Sequence, residues 1–117
     1  MKRILFVQSK APHGGLQGQE GLDAVLMGSA FAECTVLLLD DGIFQVLSGQ
    51  DTGALGTKDY AVTYRALSDY GVDRIYCSRD HLEARGLSTG DLLVKVDPLS
   101  DDEVKALMAH HDVILNF

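Results

Sequence analysis

Five short apolar runs, separated by amphipathic stretches, constrain the fold of this chain more than any other feature. The runs lie at residues 3–8, 34–41, 73–78, 91–98 and 112–117. Continuous apolar runs of this length are typical of strands that are buried on both faces of a parallel sheet. The sequence therefore predicts one α/β domain over residues 1–117, with a mainly parallel five-stranded sheet. Right-handed crossovers then place helices on both faces of that sheet.

Helical spacing fills the intervals between the apolar runs. One apolar stripe consists of Leu22, Val25, Leu26 and Ala30. A second helix is predicted within residues 59–71, where Gly71 provides a C-terminal stop. A short third helix is predicted at residues 80–86. Ser100 and Glu103 form a capping-box signature, which predicts the start of a last helix.

Composition excludes several classes of function. The net charge is −7, with 17 acidic and 10 basic residues, and no cluster of Lys and Arg is present to bind phosphates. Direct nucleic-acid binding is therefore not expected. No apolar stretch approaches the roughly 20 residues of a membrane span, and the N-terminal apolar run is too short for a signal peptide. A cytoplasmic protein with no membrane contact is predicted.

Motifs for cofactors and metals are missing from the sequence pattern. The glycine-rich loop GGLQGQEG at residues 14–21 does not have dinucleotide or P-loop spacing. Glu20 and Asp23 also place negative charge where a phosphate would bind. Cys34 and Cys77 form no CxxC or Cys/His pattern, so no zinc site is predicted. We therefore expect no cofactor and no metal.

Two residues are weak site candidates. Cys34 opens an apolar strand, and a buried free cysteine in such a position is usually inert. His13 follows the first strand, at the carboxyl edge of the sheet where α/β sites form. An ordinary loop residue is the more common explanation for such a histidine.

Cys77 is the main catalytic candidate, because it lies where a strand meets a short helix. Amide dipoles at helix N-termini lower thiol pKa values, and His81 is placed to stabilise a thiolate from one turn further on. Against this, Ser78 is the natural N-cap, so the amide dipoles favour position 78. Spacing favours a structural role for Cys77 and leaves a reactive thiol as the alternative.

The loop DGIFQVLSG after the second strand has an unusual number of apolar side chains. They are Ile43, Phe44, Val46 and Leu47. Exposed apolar side chains in this number are typical of a protein–protein interface, and we interpret them as a partner surface. The alternative is that they fold back onto the core of their own chain.

Four stretches together resemble one known family. They are SKAPHG, EGLDAVL, DGIFQVLSGQ and DVILNF, and they occur in this order across the chain. The chain thus resembles the TusC/DsrF branch of the DsrE-like sulfur-relay proteins. The resemblance implies a TusC-like subunit in a dimer of heterotrimers (a heterohexamer) with TusB-like and TusD-like subunits. Sulfur would pass from a TusA-like donor to a TusE-like acceptor through the TusD-like subunit, for 2-thiolation of the tRNA wobble uridine.

The same resemblance bears on Cys77. Counted back from Arg85 and Gly86, the carrier cysteine of the TusD-type pattern falls on Ser78, one position after Cys77. A shift of one residue in a strand turns a side chain to the opposite face, and an alcohol cannot form a persulfide. One inserted residue in the short helix would restore the match. The resemblance therefore implies a structural subunit, with no catalysis by this chain alone.

Three other functions remain open at the level of sequence. One is a sulfurtransferase that carries a persulfide on Cys77. Another is a DsrF-like subunit in sulfur oxidation. The third is a nucleotide-binding or other small-molecule module of flavodoxin type, which rests on the flavodoxin-like fold class alone.

Overall fold

A computed structural model describes residues 1–12, 17–48 and 60–117 of the chain. The strands are β1 (Arg3–Gln8), β2 (Glu33–Leu38), β3 (Ile75–Ser78), β4 (Asp97–Leu99) and β5 (Val113–Asn116). The helices are α1 (Gln17–Gly28), α2 (Tyr60–Ala66), α3 (Arg79–Ala84) and α4 (Asp101–Ala109). Short 3₁₀ segments lie at Asp40–Val46, Leu67–Tyr70 and Thr89–Asp91.

The five strands form one sheet in the order β4-β3-β2-β1-β5, and every neighbouring pair is parallel. The predicted parallel α/β architecture is therefore confirmed. Apolar side chains lie next to one another across the sheet, as in the pairing of Phe6 with Val36 and of Val36 with Ile75. β1, β2 and β3 are buried on both faces, which is why their apolar runs are continuous rather than alternating. The prediction of burial on both faces is wrong for β5, which lies at the edge of the sheet and is mostly exposed.

Helices cover both faces of the sheet, as predicted, but unequally. The larger core packs one face against α1, α2 and α3, through residues such as Leu22, Tyr64 and Leu82. The opposite face has a smaller core, in which Leu5, Val7 and Leu37 are covered by Val104, Leu107 and Met108. Those three covering residues all belong to α4. Cys77 belongs to the larger core, whereas Tyr76 packs against the smaller one, because successive strand residues point to opposite faces.

The prediction for the fourth strand is wrong over most of its length. The apolar run predicts a strand at residues 91–98, whereas β4 has only three residues, Asp97–Leu99. Ser88 and Asp91 form a capping box that turns the chain into a 3₁₀ segment. Leu93 then donates its N–H to the carbonyl of Val46 at 2.8 Å. Residues of the predicted fourth strand therefore bind the Asp40–Val46 segment through this hydrogen bond, before the chain joins the sheet at Asp97.

Most element boundaries follow local signals in the sequence. Gly71 ends its helical segment in the left-handed region at φ 80°, as predicted, and the capping box of Ser100 and Glu103 is present at the start of α4. Helix α1 ends at Gly28, so Ala30 does not continue its apolar stripe. β2 ends at Leu38, earlier than predicted, and Asp40 then adopts a left-handed φ of 48°. None of the described helices is long and apolar enough to cross a membrane.

Candidate functional site

The β3–α3 junction, defined here as Cys77 to His81, contains the main candidate for sulfur chemistry. The Cys77 side chain is fully buried, and its position in the sheet is flanked by Leu38 of β2 and Pro98 of β4. Burial, together with the negative charge of Asp97, raises the pKa of the Cys77 thiol to about 11. A sulfur nucleophile needs an accessible thiol with a lowered pKa, and Cys77 has neither property.

Ser78 occupies the next position and faces the other side of the sheet. Its Oγ accepts a hydrogen bond from the N–H of His81 at 3.2 Å, and so Ser78 caps α3. It lines a cavity of about 210 Å³ together with Leu39 and His81 and with Asp101, Val104 and Lys105 of α4. This is the position that the resemblance matches to a carrier cysteine. A hydroxyl there can cap a helix and donate a hydrogen bond, but it cannot hold a persulfide.

His81 forms its hydrogen bond with Asp40 and not with Cys77, which corrects the prediction that His81 stabilises a Cys77 thiolate. Its Nδ1 accepts the backbone N–H of Asp40 at 2.9 Å, so the ring proton lies on Nε2. β2 and β3 are parallel neighbours, and the residues that follow β2 therefore lie beside the first turn of α3. The imidazole thus holds a backbone turn rather than a nucleophile.

Arg85 uses its charge to attach α3 to the Asp40–Val46 segment. Its guanidinium donates from Nη2 and Nε to Oδ1 of Asp41, at 3.1 and 3.3 Å. The same group lies 3.9 Å from a carboxylate oxygen of Asp40 and 6.0 Å from the ring centre of Phe44. These contacts place the cation in a structural network on this edge of the sheet.

The predicted partner surface is wrong for two of its four residues. Ile43 and Val46 are fully buried in the larger core of their own chain. They reach it because Gly42 packs directly against the backbone carbonyl of Gln8, where a Cβ would lie 1.9 Å from that oxygen. Phe44 and Leu47 are partly exposed, and Leu47 forms an antiparallel bridge with Leu92. A partner surface at Phe44 and Leu47 stays a prediction.

Sequence reasoning missed a buried polar side chain within the Asp40–Val46 segment. Gln45 is fully buried; its Nε2 donates to the carbonyl of Lys10 at 2.8 Å, and its Oε1 accepts from Tyr64 Oη at 2.7 Å. Gln8 is also fully buried, and its Nε2 donates to the carbonyl of Gly18. The signal was a glutamine inside each apolar run, because a polar residue there must find partners within the fold.

The weaker candidates gain no support from the described residues. Cys34 is buried, and burial raises the pKa of its thiol. His13 and the start of the glycine-rich loop, residues 13–16, lie outside the part of the chain that the structure describes. Within that part, no three His, Cys, Asp or Glu side chains are grouped so that they could hold a metal ion.

Comparison with known proteins gives a consistent result. A model of the DsrE/DsrF-like family matches residues 2–117. The chain is 42% identical over 119 residues to protein TusC of Escherichia coli O8, covering the whole of both chains. It is 48% identical over 94 residues to the intracellular sulfur oxidation protein DsrF of Allochromatium vinosum, covering 80% of this chain and 69% of that one.

A solved structure has the same fold. The crystal structure of the YchN protein of Escherichia coli superimposes with a TM-score of 0.85 and covers the whole of both chains. Its sequence is only 22% identical to this one, so the likeness is one of fold alone.

Proposed function

The chain belongs to the DsrE/DsrF-like family, and from this premise we propose that it is a non-catalytic, TusC-like subunit of a sulfur-relay complex. In this proposal the chain assembles with TusB-like and TusD-like subunits in a dimer of heterotrimers. A TusD-like neighbour carries the persulfide, receives sulfur from a TusA-like donor and passes it to a TusE-like acceptor. This chain supplies binding surface to the complex and has no reacting sulfur of its own.

The observation that supports a non-catalytic role is the chemistry of the β3–α3 junction. The only thiol there is sealed in the core and has a pKa raised to about 11, so very little thiolate exists near neutral pH. The neighbouring Ser78, on the opposite face, is an alcohol that is already engaged as the N-cap of α3. A relay step at this junction would require an exposed thiolate at one of these two positions.

For the pathway, we propose 2-thiolation of the wobble uridine of tRNA in the cytoplasm. The support is the similarity to TusC, which extends over the full length of both chains at 42% identity. Direct contact with the tRNA is not part of this proposal, because the chain carries a net charge of −7.

A second candidate function is that of a DsrF-like subunit in sulfur oxidation. The observation that favours it is the higher identity, 48%, to the Allochromatium vinosum protein over the 94 residues that align. Both candidates place the same fold in the same kind of complex and differ in the acceptor of the sulfur.

The pathway is tested by deleting the gene and measuring 2-thiouridine nucleosides in total tRNA by mass spectrometry. We expect thiolation to fall, and to be restored by the wild-type chain and by Cys77→Ala at equal protein level. Failure of Cys77→Ala to restore thiolation, with the protein folded and present, would favour the Cys77 persulfide instead. Unchanged tRNA thiolation, with impaired oxidation of reduced sulfur, would favour the DsrF-like role.

The assembly is tested by expressing the chain together with the TusB-like and TusD-like proteins of the same cell. We expect one complex of all three chains in gel filtration, with persulfide sulfur found by mass spectrometry on the TusD-like chain. A chain that stays alone under these conditions would contradict the subunit role.

A further inference from the structure

A second open space, the α2 groove, lies on the face of the sheet that α2 covers and is distinct from the β3–α3 junction. Its volume is about 480 Å³, which is within the usual range of binding pockets. Val94 lines it with partly exposed apolar surface, the buried side chains of Val72 and Ile75 form its floor, and Arg65 and Lys95 add two cations. Tyr64 of α2 contributes to the wall.

The shortness of β4 explains why this groove is open. β4 pairs with β3 only from Tyr76 onward, so Ile75 lies beyond the end of that pairing. The residues before β4, including Val94 and Lys95, are not in a strand. The groove therefore lies where a longer β4 would have continued, and the buried side chain of Ile75 forms part of its floor.

The α2 groove has more cationic than anionic side chains, although the chain as a whole is negatively charged. The net charge is −7, yet Arg65 and Lys95 both line this space, with Asp73 as the one acidic residue among the lining groups. Both cations are exposed. Among the described residues, the ion pairs of Arg and Lys involve Arg3 and Arg85, so no described carboxylate forms an ion pair with Arg65 or Lys95.

We propose that the α2 groove receives a segment of another subunit of the complex, one that carries a bulky apolar side chain next to Asp or Glu. The apolar side chain packs on Val94, above the floor that the buried Val72 and Ile75 form, and the carboxylates pair with Arg65 and Lys95. A second copy of this chain is the less favourable occupant, because two bodies of charge −7 repel each other. This inference rests on the proposed role as a subunit.

The first test is site-specific photo-crosslinking in the complex formed with the TusB-like and TusD-like chains. A benzophenone amino acid replaces Ser68, which lines the groove, and in a control it replaces Ala109, which is exposed on α4. We expect the Ser68 probe to link to a TusB-like or TusD-like peptide with an acidic residue beside Leu, Ile, Met or Phe. The Ala109 probe should not link to that peptide.

The second test reverses the charges of the groove. Arg65→Glu with Lys95→Glu should weaken association with the partner chains about tenfold, since each exposed ion pair contributes up to about 1 kcal/mol. The matched control is Lys2→Glu with Arg79→Glu, which changes the net charge equally at exposed positions outside the groove. Association should then remain close to that of the wild type.

The outcomes separate this inference from the proposed function. An intact wild-type complex with no groove crosslink, or with a crosslink to a second copy only, would overturn the groove and leave the subunit role standing. Equal weakening by both charge reversals would also overturn it, because the effect would then come from net charge. If the wild-type chain forms no complex at all, the subunit role fails and this inference fails with it.

Discussion

The two ends of β3 differ in a way that fold analogy does not anticipate. At its carboxyl end, where α/β proteins usually place their chemistry, Cys77 is sealed in the core and Ser78 caps a helix. At its amino end, the buried Ile75 forms part of the floor of an open groove that contains two exposed cations without described ion-pair partners. The end expected to react is used for structure, and the opposite end has the features of a binding surface.

This difference teaches that the location of a site and its chemistry are separate questions. The parallel sheet fixes which edge the loops between β2, β3 and their helices occupy. Whether that edge reacts depends on single side chains, because one position decides between the core and the cavity beside α4. The four predictions below test this contrast, from the largest expected effect to the smallest.

The largest effect is expected where the Asp40–Val46 segment closes against β1. A Cβ at Gly42 would lie 1.9 Å from the carbonyl oxygen of Gln8. Gly42→Ala should therefore lower the free energy of unfolding by about 3 kcal/mol, measured by urea denaturation. Gly90→Ala is the control, because its Cβ would meet nothing closer than Ser88 Oγ at 3.8 Å. A similar loss of stability in both variants would contradict this prediction, because the close packing of Gly42 against Gln8 would then not be the cause.

The next effect concerns the reactivity of Cys77, measured by alkylation in a Cys34→Ala background. Since the pKa is raised from 9.0 to about 11, the thiolate fraction near pH 8 should be about 100-fold below that of an ordinary cysteine. Unfolding in urea should restore the ordinary rate. Because the pKa is raised in the folded state, the associated stability is present below about pH 9 and is lost as pH rises toward about 11. Rapid alkylation of the folded protein would contradict a sealed carboxyl end.

A pair of serines compares the two ends of β3 directly. Ser78→Ala removes the acceptor that caps α3 and should cost about 1 kcal/mol in the free energy of unfolding. Ser68 lies in the α2 groove, and its hydroxyl caps no described helix. Ser68→Ala should therefore change the free energy of unfolding by less than about 0.5 kcal/mol. Equal losses of unfolding free energy in the two variants would mean that the Ser78 cap at the carboxyl end of β3 contributes no more stability than Ser68 does in the groove.

The smallest effect is one of proton position, visible in ¹⁵N NMR spectra of the histidines at pH 8. His81 accepts the N–H of Asp40 at Nδ1, so its proton should lie on Nε2. His111 Nδ1 lies 2.7 Å from the carbonyl of Leu107, so that ring should carry its proton on Nδ1. A proton on Nδ1 of His81 would contradict its structural use at the junction, because that nitrogen could then not accept the N–H of Asp40.

Much of the fold could be predicted from the sequence, because the signals concerned are local. The apolar runs at β1, β3 and β5 gave strands, and Gly71 and Ser100 marked helix boundaries that the structure contains. The fourth strand was overextended, since apolar content alone does not distinguish a strand from a run that packs across a 3₁₀ turn. That distinction depends on Val46, which is distant in sequence and accepts the N–H of Leu93.

The candidate site was less predictable, because it depends on partners that lie far apart along the chain. Ile43 and Val46 have the composition of an interface, yet they lie in the core, where Gly42 packs closely against Gln8 and Leu93 donates its N–H to Val46. His81 lies one helical turn after Cys77 in sequence. Its Nδ1 nevertheless accepts a hydrogen bond from the N–H of Asp40, which follows the neighbouring strand β2. Sequence spacing does not contain these long-range contacts.

The sequence by itself determined the α/β class, the parallel sheet, the helix caps and the resemblance to the DsrE-like proteins, since hydrophobic period and capping residues act within a few positions. Only the tertiary structure decided that Cys77 is sealed, that Ser78 faces the cavity beside α4, and that a groove with two cations opens above the buried Ile75. The physical reason is that burial and the pKa of a thiol are set by which strands and helices meet around a side chain, and those neighbours come from distant parts of the chain.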